Sequence, residues 1–182
     1  MFVAVDMPPA IKDAAASVIE AWGVSAPAGV RWVPRENLHL TMKFLGWVAD
    51  ERLSDIAGAV ADAVDQMVDF SVRLGEAGAF PSARRARVLW LGLLDPAGGL
   101  VALARSLEDA FVLLGFAAEV RTFVPHLTIA RLKPPSPVSV EVAVPPTDPF
   151  VVDRVTLFES KLGRPAPTYI PLSTFPFRRG SR

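Results

Sequence analysis

His39-Leu40-Thr41-Met42 and His126-Leu127-Thr128-Ile129 hold the only two histidines of the chain in the same local sequence. Each reads His-Leu-Thr followed by a large apolar residue, with a basic residue, Lys43 or Arg131, within two further positions. At ordinary residue frequencies a given histidine precedes Leu-Thr roughly once in a hundred cases, so chance places both there about once in ten thousand. On a strand, residues two apart point to one face, about 6 to 7 Å from each other. His39 and Thr41 then share a face, as do His126 and Thr128, while Leu40, Met42, Leu127 and Ile129 turn into apolar packing. By the same alternation Lys43 falls on the His39 face, and Arg131 falls opposite His126. The duplication predicts His39 and His126 on central strands of two different sheets or lobes, facing one cleft.

Two imidazoles and two hydroxyls converging on a cleft suit in-line displacement at phosphorus without a metal. Imidazole has the unperturbed pKa nearest neutrality, so one ring can act as base while the other acts as acid. A hydroxyl can donate to a non-bridging phosphoryl oxygen as charge builds there. A cyclic phosphodiester fits this apparatus well, because its leaving group is a neighbouring hydroxyl held in place.

Outward from the two motifs, Phe2-Val3-Ala4-Val5 reads as a short buried strand. A helix begins at Pro8-Pro9, carries Ile11, Ala15, Val18, Ile19 and Trp22 at helical spacing, and stops near Gly23. Arg31 to Pro34 is a brief extended piece and Leu38 to Gly46 a strand. Asp50 is the expected N-cap of a second helix with the stripe Leu53, Ile56, Ala57, Val60, Ala63, Val64 and Met67. Phe70 to Phe80 and Arg87 to Leu94 read as strands, and Leu100, Leu103, Leu107, Phe111 and Leu114 mark a third helix ended by Gly115. Ala118 to Arg121 is a short strand candidate, and His126 to Leu132 is a strand. Prolines 134, 135, 137, 145, 146 and 149 make the next segment mostly loop, with a short strand near Val138 to Val144. Phe150 to Lys161 reads as one long strand, Thr168 to Leu172 as a last short one, and Arg178 to Arg182 as a frayed tail. Three helices among strands that often follow each other directly predict an α+β fold.

The 182 residues are 51% hydrophobic and 21% charged, enough for one well-buried domain spanning 1–182. Nineteen Lys plus Arg balance nineteen Asp plus Glu, so nucleic acid is not held by bulk charge but by a local basic patch or by recognition of one group. With no cysteine, disulfides, thiolate metal sites and a cysteine nucleophile are excluded. The start of the chain has no basic leader, and no apolar run of about 18 residues occurs, so a cytoplasmic protein without a membrane span is expected.

The chain resembles the two-histidine phosphoesterase superfamily, and within it the RNA 2′,3′-cyclic phosphodiesterases, also called 2′-5′ RNA ligases. The resemblance runs through Phe2 to Asp6, Arg31 to Thr41 with Phe44-Leu45-Gly46, Arg87 to Gly92, Phe123 to Arg131, and Leu157 to Gly163 with Tyr169. It implies a bilobal fold with pseudo-two-fold symmetry, antiparallel-rich sheets lining a central groove, and helices outside. It implies metal-independent hydrolysis of a terminal 2′,3′-cyclic phosphate to a 2′-phosphomonoester, and a weaker, reversible 2′-5′ joining of RNA ends. On that pattern His39 is the proton donor to the leaving 3′ oxygen, His126 the base that activates water, and Thr41 and Thr128 hold phosphoryl oxygens. The expected partner is RNA ending in a cyclic phosphate, such as tRNA fragments or oligonucleotides, bound by a monomer without metal or cofactor.

Other polar candidates keep two readings. Arg131 is either a phosphate contact, which needs a twist or bulge to reach the His126 face, or a surface ion pair. Lys43 is either an RNA contact or a solvated lysine. Arg84, Arg85 and Arg87 form a basic loop open to RNA backbone or to solvent alone, and Trp32, Trp47 and Trp90 either stack bases or fill the core. A sister activity on a small cyclic nucleotide or ADP-ribose cyclic phosphate would use the same residues. A non-catalytic RNA-end binder would not require both imidazoles. A metallohydrolase would need an acid near the histidines, where only Glu36 stands, and assay in excess chelator separates it.

Overall fold

The fold, seen in a computed structural model that describes residues 1–24, 26–164 and 166–180, is organised around two antiparallel sheets. In chain order the elements are β1 (Phe2–Asp6), α1 (Pro9–Gly23), β2 (Val30–Trp32), β3 (His39–Phe44), α2 (Leu53–Val64), β4 (Phe70–Phe80), β5 (Ala86–Leu94), α3 (Gly99–Leu113), β6 (His126–Ser136), β7 (Phe150–Val152), β8 (Arg154–Lys161) and β9 (Thr168–Pro176). One sheet has the order β3-β1-β8-β9 and the other β2-β6-β5-β4-β7. The α+β architecture is as the order of strands and helices predicts, and the antiparallel pairing is as the family resemblance implies.

The apolar stripes find one another. Ile56, Val60 and Val64 of α2 and Leu100, Leu103, Leu107 and Phe111 of α3 are buried, and the two helices pack on each other. Helix α3 also packs on β3, and α2 on β9. Each fully buried aliphatic side chain contributes roughly 1.5 to 3 kcal/mol. In α1, Ile11, Ala14, Ala15, Val18 and Trp22 are buried, and Trp22 Nε1 donates to Ser139 O at 2.9 Å. One continuous cluster of buried side chains spans both sheets.

His126 lies on an interior strand of its sheet, as expected, but His39 opens an edge strand. That edge is not solvated: β3 runs against β6 of the other sheet and under α3, so the two motif-bearing strands meet along the seam between the sheets.

Both motif strands carry a bulge one residue after the threonine. In the β5–β6 ladder Trp90 pairs with Thr128 and the next residue back, Leu89, pairs with Ala130, so Ile129 is the extra residue. In the β1–β3 ladder Ala4 pairs with Thr41 and Val3 with Lys43, so Met42 is extra. A bulge shifts the alternation by one residue. Burial records the same phase in both strands: Thr41 and Thr128 half-buried, then two buried residues, then exposed Phe44 and Arg131.

Several sequence expectations change. Asp50 caps nothing: it starts a 3-10 turn, Asp50–Arg52, ahead of α2 and makes no side-chain cap bond. Residues 118–121 form no strand, and Glu119 N donates instead to Glu108 Oε1 at 2.7 Å. Val138, Val140, Val142 and Val144 do alternate inward against the core, but the segment joins no ladder. Residues 150–161 are two strands rather than one. They divide at Asp153, with β7 pairing β4 in one sheet and β8 pairing β1 and β9 in the other. The C-terminal segment is tied down: Arg178 N donates to Met67 O at 2.8 Å, and Gly180 N to Asp69 Oδ1 at 2.8 Å. Ser181 and Arg182 lie outside the described residues. No helix among the described residues is long and apolar enough to cross a membrane.

Candidate active site

The 3-10 turn Arg35–Asn37 delivers the chain into β3, and its buried Asn37 is anchored by Nδ2 donating to Pro167 O at 2.7 Å. The Asn37 carbonyl then receives the Nδ1–H of His39 at 2.7 Å. The second motif repeats the contact: Nδ1–H of His126 donates to Val124 O at 2.7 Å, while Pro125 O takes Leu93 N at 3.1 Å. A carbonyl can only accept, so both rings carry their proton on Nδ1 and leave Nε2 as the working nitrogen. His39 Nε2 lies 2.9 Å from Thr41 Oγ1. In the neutral ring this nitrogen accepts the threonine proton; in imidazolium it donates to the hydroxyl oxygen.

Aromatic rings enclose each imidazole. Around His39, Phe2 lies at 4.8 Å between ring centroids and Tyr169 edge-on at 5.1 Å, with Phe158 stacked on Phe2 at 5.3 Å. Around His126, Phe80 stands edge-on at 5.0 Å and Trp90 lies at 6.3 Å. Trp90 can lie there because residue 78 is glycine: a Cβ at Gly78 would sit 2.2 Å from the indole. Of the other tryptophans, Trp32 packs on the core and Trp47 is exposed.

Both imidazoles titrate below their ordinary value of 6.5, chiefly because burial penalises the charged ring. The carbonyl bonds at Nδ1 act in the opposite direction, and the positive charge of Arg131 lowers both further. Burial also raises the Tyr169 hydroxyl, against the same Arg131 charge. The Arg131 charge is thus felt by both histidines and by Tyr169. The bulge at Ile129 brings it to the His126 face, where simple alternation puts it on the reverse.

The bulge at Met42 moves Lys43 the other way. Lys43 does not face the groove; it is 8% exposed, and its Nζ bonds Glu108 Oε2 at 2.6 Å and Ala117 O at 3.1 Å. Partial burial alone would raise the Glu108 carboxyl, but the Lys43 ammonium and the Glu119 N–H hold it below the usual range. The expectation of Lys43 as a substrate contact is corrected to a tie between β3 and α3. Arg84 and Arg85 lie on an exposed 3-10 turn, Ala83–Arg85, which follows Phe80 through Pro81, and Arg87 is exposed at the start of β5. The local sequence does not mark the rings of Phe2, Phe80, Phe158 and Tyr169 as site residues; only their cross-strand neighbours reveal them. Among the described residues no three His, Cys, Asp or Glu side chains form a group that could hold a metal ion.

Comparison with known proteins identifies the family and the fold. The family profile of the 2′-5′ RNA ligase superfamily matches residues 8–164. The RNA 2′,3′-cyclic phosphodiesterase of Methanothermobacter thermautotrophicus is 40% identical over 134 residues, 74% of this chain and 71% of that protein. The protein of the same description from Thermotoga maritima is 32% identical over 183 residues, covering 98% and 96% of the two chains. Among solved structures, E. coli LigT complexed with 3′-AMP superimposes with a TM-score of 0.76 at 29% identity over 97% of this chain and 96% of its own. TT0787 of Thermus thermophilus does so with 0.78 at 29% identity over 99% and 98%.

Proposed function

Because the chain belongs to the 2′-5′ RNA ligase superfamily, we propose that it hydrolyses RNA 2′,3′-cyclic phosphate ends with His39 and His126 as its acid and base. The observation that supports the assignment is the paired anchoring of Nδ1 on the carbonyls of Asn37 and Val124, which leaves Nε2 of each ring as the nitrogen able to exchange a proton with substrate.

In this mechanism His126 Nε2 takes a proton from water as the water oxygen bonds to phosphorus. The 3′ oxygen leaves on the opposite side and receives a proton from His39 Nε2, so the product is a 2′-phosphomonoester and a free 3′-hydroxyl. Thr41 and Thr128 donate to non-bridging oxygens, and Arg131 neutralises charge as it builds on them. His39 must be protonated to serve as acid, although burial disfavours its charge in the free protein. The anionic phosphate stabilises that charge on binding. A 5′-hydroxyl of a second RNA in place of water gives a 2′-5′ linkage by the same proton transfers, and each step runs backward equally well.

The protein acts as a monomer in this reading, on RNA fragments or oligonucleotides in the cytoplasm. The deciding experiment incubates purified protein with RNA ending in a 2′,3′-cyclic phosphate, with and without excess chelator, and locates the product phosphate. A 2′-phosphate formed in both conditions is expected. A 3′-phosphate, or activity abolished by chelator and restored by a divalent ion, overturns the mechanism.

A further inference from the structure

Strand β2 sets Arg31 directly opposite Arg131 in the β2–β6 ladder. Cross-strand partners hold their Cβ atoms about 5 Å apart on one face of a sheet. The flanking pairs, Val30 with Leu132 and Trp32 with Ala130, turn into the core. Both arginine side chains are therefore on the His126 face of the sheet, and both are exposed. Neither guanidinium makes a salt bridge or a side-chain hydrogen bond among the described residues, whereas Arg35, Arg121, Arg154 and Arg178 each pair with a carboxylate. Like charges facing each other across a ladder destabilise it, and here they occupy one of the three positions of β2. An anion between them relieves the repulsion, and guanidinium forks match phosphate oxygens two at a time.

The row has a direction. Val88, Arg131 and Arg31 stand side by side on β5, β6 and β2. The charge of Arg131 acts on both imidazoles, and Arg31 stands one strand spacing, about 4.8 Å, beyond it. A phosphate reaching Arg31 is the next one along a chain whose end lies between the histidines. We propose that Arg31, beside Arg131, binds the phosphodiester on the 5′ side of the terminal nucleotide and so selects RNA chains over free nucleoside 2′,3′-cyclic phosphates. This rests on the cyclic-phosphate reading above and adds a second phosphate subsite to it.

The test compares kcat/KM for a dinucleotide ending in a 2′,3′-cyclic phosphate with that for the matching nucleoside 2′,3′-cyclic phosphate. Wild-type protein prefers the dinucleotide, and Arg31→Gln lowers that preference about tenfold, the loss of one charge-assisted contact. For the dinucleotide the variant also flattens the slope of log kcat/KM against log salt by about 0.7, one single-strand phosphate contact. Arg31→Lys recovers part of the preference, and Arg105→Gln on the exposed side of α3 leaves it unchanged. An unaltered preference in Arg31→Gln overturns the proposal, as does a wild-type protein that treats the two substrates alike. Equal losses on both substrates assign Arg31 to the cyclic phosphate or to the fold, which also overturns it. Wild-type protein inactive on both removes the phosphodiesterase reading itself, a result separable from all of these.

Discussion

Thr128 and Arg131 are three residues apart on β6 yet share one face of the sheet, because the register slips at Ile129. The slip at Met42 does the reverse for Lys43, which turns away from His39 to meet Glu108. Two bulges thus decide that Arg131 shares a face with its motif threonine while Lys43 does not, and they underlie several expected outcomes.

His39→Ala and His126→Ala should each lower hydrolysis by about 10² to 10⁴, the usual worth of a general acid or base. The double variant should be little worse than either single one, because acid and base act in one displacement. With a leaving group that needs no protonation, His39→Ala should recover most of its loss and His126→Ala none. The reverse pattern exchanges the roles. Thr41→Ala and Thr128→Ala should cost less, roughly 1.5 to 3 kcal/mol of transition-state stabilisation each.

The pH profile of kcat/KM, which reports the free protein, should be a bell whose limbs lie below 6.5, since both imidazoles are lowered from that value. In kcat the acid's limb should move upward, as bound phosphate favours the His39 imidazolium. The same shifts bear on folding. Unfolded imidazoles bind protons near 6.5, whereas the folded ones resist until lower pH, so the unfolded state holds more protons in that window. This contribution to stability is present above about 6.5 and lost as pH falls toward the folded values. Denaturant titrations at stepped pH should show the loss in wild-type protein and a reduced loss when both histidines are replaced.

Replacing Lys43 separates a structural tie from a substrate contact. Lys43→Met should leave KM for cyclic phosphate and its salt dependence as in wild-type protein. Glu108→Ala leaves the Lys43 ammonium, 8% exposed, with Ala117 O as its remaining partner, and should cost about 1 to 3 kcal/mol of stability. A large rise in KM for Lys43→Met would return Lys43 to the groove.

Gly78→Ala adds a methyl where Trp90 already lies, 2.2 Å from its ring. Overpacking of this kind costs roughly 1 to 3 kcal/mol. Trp90 packs on Phe80 at 5.0 Å between ring centroids, and Phe80 borders the His126 ring, so a displaced Trp90 presses on that wall. The variant should therefore lose kcat at a temperature where it is still fully folded. Normal kcat in folded Gly78→Ala would show that the aromatic wall does not position His126.

The duplicated His-Leu-Thr pair, the strand character of both motif segments, the three helical stripes and the α+β class were all legible in the order of residues. Each depends on residues two to four apart, which share a face whatever the rest of the chain does. Within His39 to Met42 and His126 to Ile129 the alternation held, and the half-buried histidines and threonines with buried leucines between them follow from it. Beyond Met42 and Ile129 it failed, because a bulge is set by pairing with β1 or β5, far away in the chain. The same is true of Phe150 to Lys161, which reads as one strand although its two halves, divided at Asp153, bond to different sheets. Long-range pairing and packing, by contrast, set Arg31 against Arg131, buried Lys43 on Glu108 and brought Phe2, Phe158 and Tyr169 around His39. These are contacts between segments whose distance along the chain carries no local signal, and ladder register, sheet order and helix packing decide them.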